Sequence, residues 1–221
     1  MGSQKTLSRI NYTILGPQGA GKGTQAEILA QKTDGTLLIM GNLIRKTAEK
    51  SPKIKKKILA GHLLSDQEVL SILKSHFKKN FKTPLIFDGI PRTLGQAKGL
   101  DELCQNFGYS KPVAIFLKIS PKTAFYRTTR RKICPHCQAV FYWQQSAYKK
   151  GICPVCGTKL VRRADDKPKV IKQRLKEFFA NIEPVLAYYQ QQGRLIVVDG
   201  EPPIKEVAKN VEQKIKIFLK K

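Results

Sequence analysis

The sequence predicts an α/β protein built on a doubly wound parallel sheet. It opens with an apolar strand at residues 10–15, a glycine-rich turn, a helix-forming stretch at 25–32 and a second strand at 36–40. This order begins a parallel sheet that carries helices on its faces. Further short apolar runs, each next to a turn and a helical pattern, extend the same scheme. With 221 residues and 41% hydrophobic content, the chain can bury one α/β core with insertions.

The first turn has the composition of a phosphate-binding loop. Residues 16–24 read Gly-Pro-Gln-Gly-Ala-Gly-Lys-Gly-Thr. A glycine-rich turn between a strand and a helix aims free peptide N–H groups and the helix dipole at an anion, and Lys22 adds a point charge. A plain flexible turn would need neither Lys22 nor four glycines. The usual loop has Ser or Thr directly after the lysine, whereas here Gly23 intervenes before Thr24.

The stretch after the second strand is helical. Residues 42–64 read as short helices rich in lysine, and Gly61 ends them. Ser65 and Glu68 then form a capping box, which predicts a stable helix through His76. His76 lies on the apolar side of that helix, which favours a packed rather than a catalytic histidine.

The third strand, at residues 84–89, ends in Asp88. A carboxylate at the end of a strand beside the phosphate loop can orient the waters of a magnesium ion, and the alternative is an Asp that only caps the following turn. A helix to Phe107 and a fourth strand at 113–119 follow. A fifth strand at 195–198 and a final amphipathic helix complete the chain.

Four of the five cysteines form two C-x-x-C pairs separated by 15 residues. Four thiolates at this spacing suit a tetrahedral structural zinc, and a redox function of either pair is the alternative. Because about thirty residues bury little core, the metal would supply the folding energy of this segment. Cys104 is interpreted as a core residue. The candidate zinc ligands are Cys134, Cys137, Cys153 and Cys156.

The charge balance is strongly basic. The chain has 41 Lys and Arg against 16 Asp and Glu, a net charge of +25 with a pI near 10.0. Such a balance favours anionic partners and raises nucleic-acid binding as a hypothesis, whereas the simpler interpretation is a solvated lysine-rich surface. No apolar stretch approaches the ~20 residues of a membrane span, so we expect a cytoplasmic protein without membrane contact. Residues 1–6 also fit the pattern for acylation at Gly2.

Three separated motifs resemble the adenylate kinase branch of the nucleoside monophosphate kinases, and the resemblance covers nearly the whole chain. They are the loop ending Gly-Lys-Gly-Thr-Gln, the Asp-Gly-x-Pro-Arg-Thr-x-x-Gln signature at 88–96, and a cysteine insertion similar to the zinc-containing lid of many bacterial members. The resemblance implies a P-loop three-layer sandwich with a five-stranded parallel sheet. Its implied parts are a core domain at 1–38, 71–130 and 165–221, a helical AMP-binding insertion at 39–70 and a zinc-binding lid at 131–164.

The resemblance further implies a monomer that reversibly transfers the terminal phosphoryl group of MgATP to AMP, with Mg²⁺ and structural Zn²⁺ as its metals. The implied catalytic residues are Lys22, Asp88, Arg92, Arg131, Arg163 and Arg174. The implied ATP-binding residues are Gly19, Ala20, Gly21, Lys22, Gly23, Thr24, Arg127 and Arg131. The implied AMP-binding residues are Met40, Arg45, Gly89, Arg92, Gln96, Arg163 and Arg174. Asp165 and Asp166 would help to fix the hinge of the lid.

One segment departs from the family pattern. The family usually has Ser-Thr-Gly-Asp before its Leu-Arg, whereas residues 39–45 here read Ile-Met-Gly-Asn-Leu-Ile-Arg. Met40 lacks a hydroxyl for the base, and Asn42 removes a carboxylate. Arg130 also replaces a usual glycine at the lid hinge. Two alternatives therefore stay beside the leading interpretation: a kinase for another nucleoside monophosphate, or a nucleic-acid-binding protein with a weakened kinase site.

Overall fold

A computed structural model describes residues 10–77, 81, 83–143 and 145–220. The hypothesis of acylation at Gly2 lies outside these described residues. In chain order the strands are β1 (Tyr12–Leu15), β2 (Thr36–Ile39), β3 (Leu85–Asp88), β4 (Val113–Lys118), β5 (Lys132–Ile133), β6 (Val140–Phe141) and β7 (Leu195–Asp199). The helices are α1 (Lys22–Thr33), α2 (Met40–Lys50), α3 (Pro52–Ala60), α4 (Asp66–His76), α5 (Leu94–Asn106), α6 (Pro121–Thr129), α7 (Ser146–Lys150), α8 (Pro168–Gln191) and α9 (Ile204–Phe218).

Five parallel strands form the main sheet, in the order β2-β3-β1-β4-β7. Successive residues of a strand face opposite sides, so Ile14 packs in the cluster that contains α1 and α9, whereas Leu15 packs with α5 and α8. Helices therefore cover both faces of the sheet. The predicted α/β fold with a five-stranded parallel sheet is confirmed.

The carboxyl ends of three neighbouring strands meet at one edge of the sheet. Asp88 is in register with Ile14 of β1 and with Ile39 of β2. The glycine-rich turn follows β1, and α2 follows β2 without an intervening loop. Because parallel strands end at the same edge, the turn, Met40 and Asp88 are brought together there.

Residues 39–70, here called the helical insertion, contain α2, α3 and the first turn of α4. Sequence analysis extended β2 to Met40, and this was wrong by one residue: Met40 begins α2 and is only 1% exposed. The predicted capping box is confirmed, since Ser65 Oγ accepts from the peptide N–H of Glu68 and Glu68 Oε2 accepts from that of Ser65. His76 lies half-buried at the end of α4, with its ring beside the carbonyl of Ile72.

Residues 131–164, here called the cysteine module, form a small unit with its own core. β5 pairs antiparallel with β6, and bridges join Ile133 to Val161 and Ile152 to Lys159. The buried core of the module is Cys134, Phe141, Cys153 and Leu160. Such a core is too small to fold on its own.

None of the helices in the described ranges is long and apolar enough to cross a membrane. The cytoplasmic location and the monomeric state stay predictions from the sequence.

Candidate active site

A cleft of about 420 Å³ opens at the carboxyl edge of the sheet, between the helical insertion and the cysteine module. Most of the residues singled out by sequence analysis line it, although they come from separate parts of the chain. The lining includes Gly19, Gly21, Lys22, Gly23, Thr24, Met40, Arg45, Asp88, Gly89, Arg92, Gln96, Arg131, Arg163 and Arg174. Two candidates do not line it: Ala20, which is 3% exposed in the core, and Arg127.

The glycine-rich turn presents free donors to the cleft. Gly19 and Gly21 have φ angles of 84° and 87°, which L side chains rarely adopt. A Cβ at position 19 would also meet the carbonyl oxygen of Ala124 at 2.9 Å. Gly21 precedes α1 and supplies no side-chain cap. The first N–H groups of α1 therefore have no intrahelical acceptor and suit an anion.

Lys22 lies half-buried beside this turn, and its Nζ donates to the carbonyl oxygen of Pro17 at 2.9 Å. Burial lowers the pKa of Lys22 to about 8, and the nearby carboxylate of Asp88 opposes this shift. The ammonium group is therefore only partly compensated by the protein, and an incoming phosphate would stabilise its charged form.

Asp88 faces the start of α1. Its Oδ1 is buried without a hydrogen-bond partner among the described residues, and burial raises the pKa of its carboxyl. A Cβ at position 23 would lie 3.3 Å from Asp88 Oδ2. The glycine that replaces the usual Ser or Thr of the loop thus leaves room for this carboxylate. An unpaired carboxylate oxygen beside a phosphate loop fits the hydration shell of Mg²⁺.

Arginines from four parts of the chain approach one another across the cleft. Their positions are Arg45 in α2, Arg92 after β3, Arg131 and Arg163 in the cysteine module, and Arg174 in α8. The pKa of Arg163 is lowered to about 10 by burial and by the charges of Arg131 and Arg45, and its Nε is buried without a partner in the described part of the chain. Cations that repel one another in this way favour a bound polyanion.

Two aspartates hold part of this cluster. Arg131 Nε and Nη2 donate to Asp166 Oδ2 and Oδ1 at 2.6 and 2.7 Å, a bidentate pair. Arg174 Nη2 donates to Asp165 Oδ2 at 2.5 Å. Both aspartates directly follow the cysteine module, so they connect its end to the cleft.

The candidate AMP-binding residues form hydrogen bonds with one another and with their neighbours in the chain. The peptide N–H of Arg92 donates to Gln96 Oε1 at 2.8 Å, and Arg92 Nε donates to the Gly89 carbonyl at 3.2 Å. Arg45 Nη2 donates to Asn42 Oδ1 at 2.5 Å. Asn42 thus uses its amide oxygen to orient an arginine of the cleft.

Arg127 has partners elsewhere. Its guanidinium donates to the carbonyl oxygens of Gly200 and Glu201 at 2.8 and 2.6 Å, in the loop after β7. Arg130, at the neighbouring hinge position, lies over the ring of Tyr126 at 3.7 Å from its centroid. Tyr126 in turn meets Trp143 edge to face at 5.0 Å. These largely exposed side chains therefore contact one another at the surface just before the cysteine module.

Glu27 lines the cleft and was missed by sequence analysis. Burial and the charge of Asp88 raise the pKa of Glu27. Helical spacing was the available signal, since position 27 is four residues after Gly23 and lies on the same face of α1.

The four cysteines of the module converge. Their sulfur atoms all lie within 4.8 Å of one another, with Cys134 to Cys156 at 3.4 Å and Cys137 to Cys153 at 3.6 Å. A tetrahedral zinc with ligands at about 2.3 Å needs sulfur separations of roughly this size. Four thiols that meet at one point are therefore compatible with a structural zinc.

The molecule combines a parallel sheet with a glycine-rich loop that carries Lys22 and with five arginines that line one cleft. These features define a P-loop protein of the phosphoryl-transfer class. Residues 14–194 match the family profile "Adenylate kinase". The chain belongs to the adenylate kinase family and is a nucleoside monophosphate kinase.

Curated relatives agree over almost the full length. The chain is 34% identical over 212 residues to the adenylate kinase of Petrotoga mobilis, covering 94% of this chain and 98% of that protein. It is 32% identical over 208 residues to the adenylate kinase of Thermococcus kodakarensis, covering 92% of each. Its identity to the adenylate kinase of Pyrococcus furiosus is 34% over 203 residues, or 90% of this chain and 92% of that protein.

Proposed function

We propose that this chain reversibly transfers the terminal phosphoryl group of MgATP to AMP, giving two ADP. The observation that carries the proposal is the convergence of Lys22, the glycine loop and five arginines on one cleft between the helical insertion and the cysteine module. Two nucleotides and magnesium bring a net negative charge into one site. A cleft rich in guanidinium groups is suited to hold them, since Arg binds phosphate in a bidentate manner.

Phosphoryl transfer asks the protein mainly to position two polyanions and to neutralise charge on the transferred group. The peptide N–H groups of the loop and Lys22 bind the β and γ phosphates of ATP. Arg131, Arg163 and Arg174 neutralise the transferred group. Asp88 is the residue that would hold Mg²⁺ through its waters, and the ion would supply neutralisation of charge on the phosphates of ATP.

The monophosphate site lies on the side of the helical insertion. Arg45 and Arg92 bind the phosphate of AMP, and Gln96 reads the edge of the base. The peptide N–H of Arg92 holds Gln96 Oε1, so the amide nitrogen is the donor left for a base acceptor. Met40 lines the cleft but is almost fully buried and has no hydroxyl to offer the base, and this observation favours a second candidate, a kinase for a different monophosphate.

The zinc site has a structural role in this proposal. All four ligand positions are filled by cysteine, so none is open for a substrate. Binding free energy of the metal would stabilise the cysteine module, whose own core is small. The module can then act as a lid that excludes water, because an open site would let ATP hydrolyse.

A coupled assay of ADP formation tests the proposal, with MgATP as donor and AMP, GMP, CMP and UMP as separate acceptors. We expect AMP to be the preferred acceptor. The same assay supplies a first mutational prediction: Lys22→Met abolishes transfer, because the loop loses its mobile charge, while the fold is kept. The control is Lys32→Met on the same helix, which removes a lysine paired with Glu212 on the surface.

Either of two results would contradict the proposal. One is a higher kcat/KM for another monophosphate than for AMP, which would favour the second candidate. The other is unchanged transfer in Lys22→Met, which would remove the phosphate loop from the mechanism.

A further inference from the structure

One long segment of the chain carries no acidic residue. Between Glu102 and Asp165 there are 62 residues without Asp or Glu, and they contain twelve of the 41 Lys and Arg. Seven of these twelve lie in the cysteine module. This segment therefore carries 12 of the net 25 positive charges, because it lacks carboxylates and not because its basic residues are denser than elsewhere.

The basic residues of the module divide into two groups. Arg131 and Arg163 line the cleft, and Lys132 lies over the ring of Tyr148 at 4.4 Å. The other four are exposed, line no part of the cleft, and have no acidic partner within the described ranges. These four, Lys149, Lys150, Lys159 and Arg162, are called the basic strip.

Backbone geometry brings the basic strip together. The peptide N–H of Leu160 donates to the carbonyl of Gly151 at 2.8 Å, which sets Lys150 and Lys159 on neighbouring segments. Leu160 is buried while Lys159 and Val161 are exposed, so the alternation of this segment turns Lys159 away from the core of the module. Arg162 follows Val161, which is bridged to Ile133, and it is exposed at the end of this segment.

The neighbours of the strip indicate how it would bind. Ile152 pairs directly with Lys159, and both Ile152 and Val161 are exposed. These side chains are aliphatic, and the ring of the adjacent Tyr148, on which a base could otherwise stack, is already covered by Lys132. Charge without a stacking platform or an acidic neighbour suits contacts to phosphates, which carry affinity but little sequence information.

We propose that the basic strip binds the phosphate backbone of nucleic acid, outside the catalytic cleft and independently of base sequence. The partner is a polyanion with closely spaced phosphates, and it is either RNA or DNA. The proposal does not depend on AMP as the acceptor, because no residue of the strip belongs to the phosphoryl-transfer site.

The test measures fluorescence anisotropy of labelled duplex RNA and duplex DNA of mixed sequence with the full chain over a range of salt. We expect binding whose logarithmic affinity falls linearly with the logarithm of salt concentration. The variant Lys149→Ala/Lys150→Ala/Lys159→Ala/Arg162→Ala should reduce this slope by about 3 to 4, since each phosphate contact contributes about 0.9. Binding of RNA, of DNA or of both supports the proposal and identifies the source of the phosphates.

A matched variant separates the strip from total charge. Lys50→Ala/Lys53→Ala/Lys55→Ala/Lys56→Ala removes the same charge from exposed positions of the helical insertion. It should keep the original slope. Both variants should keep the zinc content and the ADP-forming activity of the parent, which shows that they fold.

Three results overturn the proposal. The first is equal loss of binding in the two quadruple variants, because net charge alone would then explain it. The second is no binding of either duplex at about 0.15 M salt, where the Debye length is about 8 Å. The third is strip-dependent binding of phosphatidylserine vesicles together with no binding of RNA or DNA, which would assign the face to a membrane.

Discussion

If Lys22 binds the phosphates of ATP as proposed, we expect it to couple nucleotide binding to protonation. In the cleft without a nucleotide, burial lowers its pKa from 10.5 to about 8. Because the folded pKa is below the unfolded one, the buried charge costs stability below about pH 8, and this cost is relieved as the pH rises toward 10.5. A phosphate beside Nζ stabilises the charged form and raises the pKa again.

We therefore predict that ATP binding at pH 9 takes up a proton. Calorimetric titrations in two buffers with different ionisation enthalpies measure the uptake. Lys22→Met should abolish it, while Lys32→Met should keep it. The same binding enthalpy in both buffers would show that Lys22 does not titrate with the ligand.

Arg131 depends on Asp166 for its buried position. The side chains are only 10% and 5% exposed, and the pair is bidentate. We predict that Asp166→Asn lowers the free energy of unfolding by about 3 to 5 kcal/mol, because it leaves Arg131 buried without its counter-charge. Urea denaturation measures the change.

The control for Asp166→Asn is Glu212→Gln. Glu212 pairs with Lys32 and Lys216 at the surface, where an ion pair contributes about 1 kcal/mol or less. Equal destabilisation by the two substitutions would contradict a special role of the buried pair.

For single residues, the sequence predicted the lining of the cleft where one contiguous motif contains both the residue and its neighbours in space. The glycine loop and the 88–96 signature are of this kind, and most of their members line the cleft. The partners of Arg127 could not be predicted, since the carbonyls that it contacts are more than 70 positions away. The proximity of Glu27 to Asp88 likewise depends on how α1 packs on β3.

Among the elements, the cysteine module has the least core of its own. The four buried residues of its core cluster include two of the four cysteines. We predict that a strong zinc chelator lowers the melting temperature and unfolds the module before the parallel-sheet core. Metal analysis before chelation and calorimetry afterwards check this expectation.

Cys104→Ala is the matched control for the module. Cys104 is buried in the core beside α4 and β3, away from the four clustered sulfurs. This variant should keep its metal and its chelator response. A metal-free protein with the stability of the metal-bound one would contradict a structural zinc.

Helices with clear periodicity and caps could be predicted, as α4 with Ser65 shows. Boundaries were weaker: α1 begins at Lys22 rather than at residue 25, because its first turn is made of loop residues. The short β5, β6 and α7 escaped prediction altogether. Elements of two to five residues have no measurable period, and the pairing of β5 with β6 is made by backbone hydrogen bonds that a local pattern does not reveal.

For the molecule as a whole, the fold class followed from the alternation of strands and helices. The strand order β2-β3-β1-β4-β7 did not, because it depends on pairings between segments that lie far apart in sequence. A local pattern predicts which segments are strands, but it does not predict which strands pair with each other.

Arg174 contacts both the helical insertion and the residues that directly follow the cysteine module. Its Nη2 donates to the carbonyl of Ile58 in the helical insertion at 3.3 Å and to Asp165 beside the cysteine module at 2.5 Å. The end of α3 also lies close to α8, since a Cβ at position 61 would be 3.1 Å from Val170. A phosphate that draws Arg174 away therefore perturbs both parts at once.

We expect the two substrates to bind cooperatively, in the thermodynamic sense. Occupancy of one subsite changes the affinity of the other by some factor, and reciprocity requires the same factor in the opposite direction. Titrating AMP with and without a non-hydrolysable ATP analogue, and then the reverse, measures both factors. A factor of one in each direction would mean that the guanidinium of Arg174 does not couple the affinities of the two substrates. Any other value agrees with coupling of the donor and acceptor affinities through this single side chain.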